Sequence, residues 1–269
     1  MTLSIDLNCD MGESFGAWKM GHDEEVMPYV TSANIACGFH GGDPAVMRQT
    51  VKAAMQQGVA LGAHPGLPDL VGFGRRAMAI TPQSAYDMVV VQIGALAGVA
   101  ASQGGRLNHV KAHGALYNMA VNDKELAHAL AQAVYDVDSS LVFYALASSL
   151  MVEVAKEVGL KVAEEVFADR SYEEDGTLTP RDRPHAMIKD VNVSIRQVLR
   201  MIREEKVRSA QGGDIQVHAD TLCIHGDQPD AVAFAKAIRE ALRAENIDVQ
   251  TVSQSISAPV GSALRPARS

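Results

Sequence analysis

Cysteine is scarce in this chain: three residues in 269, an odd number at wide spacing, cannot build a disulfide framework. A reducing cytoplasm is the setting that implies. No stretch reaches about 18 uninterrupted apolar residues, so no membrane span is expected. The opening T-L-S-I-D-L-N runs straight into strand pattern without a charged and then apolar leader, so no signal peptide is expected either. Basic tracts and aromatic-basic repeats are missing and the net charge is -8, which argues against nucleic acid as a partner. There is no G-x-x-x-x-G-K-S/T, no G-x-G-x-x-G between a strand and a helix, and no G-x-S-x-G. Any nucleotide must therefore be held in another way, or by another subunit. Internal repeats and linkers are absent too. With 47% hydrophobic and 21% charged residues, the composition is that of a soluble globular protein.

What is there is a set of six short apolar runs that each end in His, Asp, Asn or Lys, with the polar residues alternating. Asp6, Asn8 and Asp10 interleave with Ile5, Leu7 and Cys9; Asn34 and His40 share one parity while Ile35, Cys37 and Phe39 share the other. His64 ends V-A-L-G-A-H, and His109, Lys111 and His113 alternate with Val110 and Ala112. Glu165 and Asp169 alternate with Val166 and Ala168, and His225 and Asp227 follow Leu222 and Ile224. Side chains of a strand point to opposite faces with period two, so each run offers one apolar and one ionisable face.

Helical patterns separate these runs. Asp43 and Pro44 signal a start, with an apolar stripe to Gly58; Thr81 and Pro82 start a long helix that runs to about Gln103. Asn122 opens another, Ser148 or Ser149 opens one that ends near Gly159, one spans about 190 to 206, and the last starts near Pro229 and reaches Leu242. With an apolar strand at Val142 to Leu146, roughly seven strands alternate with helices, which implies a parallel sheet wrapped by helices. Ionisable residues at strand ends all along the chain favour a closed, irregular β/α barrel over an open sheet, because a barrel collects its site from many C-terminal strand ends. Residues 1–252 are expected to form this single domain, and 253–269 to be a flexible tail.

The chemistry sits in the motifs. D-L-N-C-D-M-G-E places Asn8, Asp10 and Glu13 at or near a strand end, where buried polar groups must be bonded or paired. His40 precedes Gly41, Gly42 and a helix start whose free N–H groups can hold an anion. G-A-H-P-G-L-P-D carries His64, and V-G-F-G-R-R offers Arg75 and Arg76 as anion binders. H-V-K-A-H-G-A-L-Y sets Lys111 and His113 on one face; a lysine inside a barrel needs a carboxylate of the protein or of a substrate. E-V-F-A-D-R-S-Y supplies Glu165, Asp169 and Arg170 ahead of a charged loop, with Arg181 and Arg183, that can fold over the site. Cys9 and Cys37 have the parity of the apolar face and read as buried hydrophobes; Cys223 shares parity with His225.

Together with C-I-H-G-D and S-A-N-I-A-C-G-F-H-G-G-D-P, these segments resemble the LamB/YcsF family, also known as the A subunit of 5-oxoprolinase, over about residues 3 to 250. The resemblance implies an irregular seven-stranded β/α barrel related to glycoside hydrolases and deacetylases. It implies ATP-dependent opening of 5-oxoproline to L-glutamate, with Mg²⁺ accompanying the ATP, no tightly bound cofactor and two partner subunits, B and C. A homodimer of the chain is compatible with it. In that chemistry Asp10 or His113 would be general base, His40 or His64 would stabilise developing charge, and Lys111, Arg170 or Arg75 would hold the substrate carboxylate. Asp10, His40, His64, Lys111, His113 and Asp169 are the catalytic candidates; Asn8, Glu13, Arg75, Glu165, Arg170, His225 and Asp227 are the substrate-binding ones. Two rivals stand beside this reading. One is a metal-dependent deacetylase with Asp10, His40 and His64 as ligands, and the other a non-catalytic subunit that grips a small anion.

Overall fold

In the computed structural model, described over residues 3–225 and 230–252, seven parallel strands close on themselves. They are β1 (Ser4–Met11), β2 (Ser32–Ala36), β3 (Ala60–His64), β4 (Leu107–Lys111), β5 (Val142–Leu146), β6 (Lys161–Phe167) and β9 (Thr221–Ile224). Each pairs with the next, and β9 pairs with both β6 and β1, which closes the barrel. Two short strands, β7 (Lys206–Arg208) and β8 (Asp214–Gln216), form a separate antiparallel hairpin, and β10 (Asp248–Val249) adds to the start of β1. The expected irregular seven-stranded barrel is what forms.

Helices α1 (Asp23–Val26), α2 (Pro44–Gln57), α3 (Pro82–Ser102), α4 (Gly114–Ala120), α5 (Lys124–Asp138), α6 (Leu150–Val158), α7 (Val191–Glu204) and α8 (Ala231–Ala244) connect the strands. Their starts follow the local chemistry. The Asp43 carboxylate accepts from Ala45 N and Val46 N, and Thr81 Oγ1 from Ser84 N. For α5 the cap is Asp123 rather than Asn122, because its carboxylate reaches the N–H groups of Glu125 and Leu126. Gly58 ends α2 at φ 69°, in the left-handed region that glycine enters without strain.

The core lies between barrel and helices. Leu7, Cys9 and Met11 of β1, Ile35 of β2 and Val110 of β4 are buried with Val51, Val89, Ile93, Leu96, Leu130 and Val134 from the helices. Burying one such side chain contributes roughly 1.5–3 kcal/mol. Among the described residues α3 is the one helix long and apolar enough to cross a membrane by length and composition; here it covers the barrel with Val89, Ile93 and Leu96 inward. The expected helix start near Pro229, Asp227 and the 253–269 tail lie outside the described residues.

Candidate active site

The polar parity of the strands points into the barrel and stacks in layers. At the bottom, Asp6 accepts hydrogen bonds from Thr31, Ser32, Tyr144 and Thr221. Above it, Asn34 donates to Asn8 Oδ1 at 2.7 Å, and His109 reaches across to Asn34 Oδ1 at 2.8 Å while stacking on Tyr144. That reach requires Gly62: a Cβ there would stand 2.0 Å from His109 Nε2. His109 is held to about 3 by burial and by Lys111, so it is neutral.

The next layer is charged. Lys111 Nζ lies 3.0 Å from Asp10 Oδ1, 2.8 Å from Glu165 Oε1 and 3.2 Å from Cys223 Sγ. Asn34 also donates to Asp10, at 2.9 Å, and His64 Nε2 stands 3.3 Å from Asp10 Oδ2. Burial alone would raise the Asp10 carboxyl; His64 and Lys111 outweigh it and hold it well below the usual carboxylate range. Burial opposes the charge on Lys111, but Asp10, Cys223 and Glu165 outweigh it and push the ammonium up. Tyr117 of α4, four residues after His113, donates to Glu165 Oε2 at 2.7 Å. Its place in H-G-A-L-Y was the available signal for it, one helical turn from a site residue.

Three histidines and a glutamate gather on the side of β1 to β4. The rings of His40 and His113 stack with centroids 3.6 Å apart, and His64 meets both edge-on. His113 Nδ1 lies 3.0 Å from His64 Nε2, and Glu13 Oε1 lies 3.3 Å from His40 Nε2 and 3.5 Å from His113 Nδ1. Burial first, and then the neighbouring histidines, keep His40 and His113 well below the ordinary histidine range, so both are neutral. Phe73 sits at φ 54°, a conformation costly for a bulky residue, and its carbonyl accepts from His113 Nε2 at 2.8 Å.

Across the barrel mouth Asp169 and His225 form a second group. His225 Nδ1 lies 2.8 and 2.9 Å from the two Asp169 oxygens, and its Nε2 lies 2.9 Å from Arg181 Nη2. Burial would raise the Asp169 carboxyl, but His225 outweighs it and lowers it. A guanidinium only donates, so the neutral ring carries its proton on Nδ1 toward Asp169 and presents the Nε2 lone pair to Arg181. Histidine backed by a carboxylate is the geometry of a positioned proton carrier.

Between these groups opens a cavity of about 470 Å³ lined by Asp10, His64, Arg75, Lys111, His113, Tyr117, Arg170, Arg181 and His225. The charged loop does fold over it: Thr177, Leu178, Pro180 and Arg181 line its wall. The Arg170 guanidinium anchors that loop through Thr179 O, at 2.6 Å, and Ala186 O. Asn8 and Glu165 stand behind the lining, bonded to Lys111, and Arg76 turns away to Asp69. Gly41 and Gly42 serve packing: added Cβ atoms would lie 2.9 Å from Glu13 O and 2.8 Å from Gly12 O, and the first amides of α2 are already bonded to Asp43. All three cysteines are buried and free. Burial raises their thiols, Cys37 to about 12.

The LamB/YcsF family matches residues 5–257 of the chain. The 5-oxoprolinase A subunit from Bordetella pertussis (strain Tohama I) is 66% identical over 250 residues, 93% of this chain and 99% of that protein. Its counterpart of the same name in Bacillus subtilis (strain 168) is 56% identical over 250 residues, 93% of this chain and 97% of its own length. The crystal structure of the lactam utilization protein from Thermus thermophilus superposes with a TM-score of 0.88 at 47% identity, covering 93% of this chain and all of that one. On barrel, site and similarity over most of its length together, the chain belongs to the LamB/YcsF family.

Proposed function

We propose that this chain is the ring-opening subunit of an ATP-dependent 5-oxoprolinase, acting in the cytoplasm with two partner subunits to convert 5-oxo-L-proline to L-glutamate. The observation that carries the reading is one cavity walled by an ionised Asp10, by His225 with Asp169 bonded behind it, and by the guanidinium groups of Arg75 and Arg181. A small anionic lactam matches that lining. The names of the relatives in Bordetella and Bacillus support a cyclic amide as substrate.

ATP fits this cavity poorly. The sequence has no G-x-x-x-x-G-K-S/T motif, and the Ala115 amide at the start of α4 is already bonded to Gly74 O. Nucleotide chemistry, with its Mg²⁺, is therefore assigned to the partner subunits.

Opening a lactam adds water across the C5–N bond: hydroxide goes to C5 and a proton to the departing nitrogen. Arg75 and Arg181 hold the substrate carboxylate as guanidinium partners. When Arg181 turns to that carboxylate, the Nε2 lone pair of His225 is released to take the proton of the attacking water. Asp169 fixes the ring and stabilises the imidazolium, which then returns the proton to the ring nitrogen. Asp10, held ionised at the cavity floor, accepts from the lactam N–H and sets the face of attack. Lys111 and Arg170, bonded to the protein's own carboxylates and carbonyls, position these groups.

Glutamate release from 5-oxoproline, assayed with and without ATP and with each combination of subunits, tests the reading. Turnover is expected only with ATP and all subunits present. Full turnover by the partners without this chain overturns it.

A further inference from the structure

Hydrogen-bond bookkeeping in the histidine cluster leaves lone pairs facing one another. His64 Nδ1 lies 2.7 Å from Lys111 O, and a carbonyl only accepts, so His64 carries its proton there. His113 carries its proton on Nε2, against Phe73 O at 2.8 Å. The inner nitrogens, His64 Nε2 and His113 Nδ1, are then both bare and only 3.0 Å apart. Glu13 Oε1, another acceptor, stands 3.5 Å from His113 Nδ1 and 3.3 Å from His40 Nε2. One extra proton on His64 Nε2 bridges to His113 or Asp10, but still leaves Glu13 against the bare nitrogen of His113.

We propose that Glu13, His40, His64 and His113 form a binding site for one divalent first-row transition ion of the Zn²⁺ class. All four donor atoms lie within 4.8 Å of one another. A tetrahedral ion with bonds of about 2.1 Å sets its ligand atoms about 3.4 Å apart. The three contacts above, at 3.0, 3.3 and 3.5 Å, lie near that edge, and the His40 ring, stacked face to face on His113, must tilt to aim its Nε2 at the ion. Imidazole nitrogens with one carboxylate suit Zn²⁺ and its neighbours rather than Mg²⁺ or Ca²⁺. The outer N–H groups of His64 and His113 are pinned to backbone carbonyls, the arrangement that fixes tautomer and ring orientation in metal-ligating histidines.

The backbone is shaped around the same group. The left-handed Phe73 aims its carbonyl at His113, and a Cβ at Gly74 would come within 2.7 Å of His40 Cβ and 2.9 Å of His113 Cδ2. Relative to the sequence-level trio of Asp10, His40 and His64, the geometry brings in Glu13 and His113 and leaves Asp10 beside His64 as its neighbour. The site stands on these side chains alone, independently of the ring-opening reading.

The test uses the purified full chain, stripped with a chelator, equilibrated with Zn²⁺ and analysed by atomic emission. One Zn²⁺ per chain is expected, and Co²⁺ in its place should give the intense visible d–d absorption of a four-coordinate site. In competition with a chromophoric chelator, His64→Ala and His113→Ala should each weaken Zn²⁺ binding by about 100-fold or more, and Glu13→Gln by about 10-fold. Circular dichroism checks each fold; where an alanine variant fails to fold, His113→Asn and Glu13→Gln give the answer. No stoichiometric uptake by the folded wild type overturns the proposal, and the histidines then share a proton only. Uptake that survives His64→Ala with His113→Ala, or that is lost only in Cys223→Ser, also overturns it, since the ion would then sit in the neighbouring Asp10, Cys223 and His225 group.

Discussion

Asp6 and Asp10 are the same residue type on the same inward face of one strand, about 13 Å apart along it, yet their surroundings make them opposites. Asp6 is wrapped by four hydroxyl groups with no cation among its hydrogen-bond partners, and burial raises its carboxyl despite those bonds. Asp10 meets His64 and the Lys111 ammonium at the cavity floor, and together they outweigh burial and depress it. The lower layer plugs the barrel with directional, neutral donors. The upper layer keeps charge available where a substrate can enter.

The largest expected effect comes from removing the cation that distinguishes the layers. Lys111→Met leaves Asp10 and Glu165 buried without their shared ammonium and should destabilise the fold by about 3–5 kcal/mol, read from urea unfolding. A loss below about 1 kcal/mol would mean that the upper layer is not held by charge at all. Next comes the proton carrier. His225→Asn should lower turnover of the assembled enzyme by about 10²-fold or more while leaving unfolding nearly unchanged. Near-normal turnover would remove His225 from the mechanism and leave its pair with Asp169 a structural one.

Much of this contrast could be read from the chain, and part could not. The period-two alternation at Asp6, Asn8 and Asp10 announced an inward polar face, and the runs ending in His64, Lys111 and His225 announced a common mouth. Alternation assigns the same face to Asp6 and Asp10, however, and is blind to what stands opposite. Their difference is made by Thr31, Ser32, Tyr144 and Thr221 on one level and by His64 and Lys111 on the other, residues that only barrel closure brings near. The pairs Asp169–His225 and His64–His113 are hidden for the same reason, each joining positions about fifty residues apart. Helix α4 is too short for its periodicity to register, and the β7–β8 hairpin is made of three-residue strands. Capping chemistry, by contrast, is local: Asp43 and Thr81 were legible because their partners lie two or three residues away.

A smaller effect belongs to the lower layer. Asp6→Asn replaces two acceptor oxygens by one and turns an amide toward hydroxyls that had been donating, so some must rotate or lose their partner. A cost of about 1–3 kcal/mol is expected, with the barrel intact. A cost as large as that of Lys111→Met would erase the distinction between plug and charged floor.

The finest test is the sign of pH dependence. A carboxyl whose folded pKa is raised contributes stability that is fully present below its unfolded value, near 3.8 for Asp6, and is lost as pH rises through the folded value. A depressed carboxyl does the reverse, so the contribution of Asp10 is present above 3.8 and fades as pH falls through its folded value. Unfolding free energies of the wild type, Asp6→Asn and Asp10→Asn, measured from about pH 7 down to about pH 3, should therefore diverge. The advantage of wild type over Asp6→Asn should grow toward acid, and its advantage over Asp10→Asn should shrink. Two trends of the same sign would mean that one electrostatic environment spans both layers, and that the hydroxyl plug does not isolate Asp6 from the charges above it.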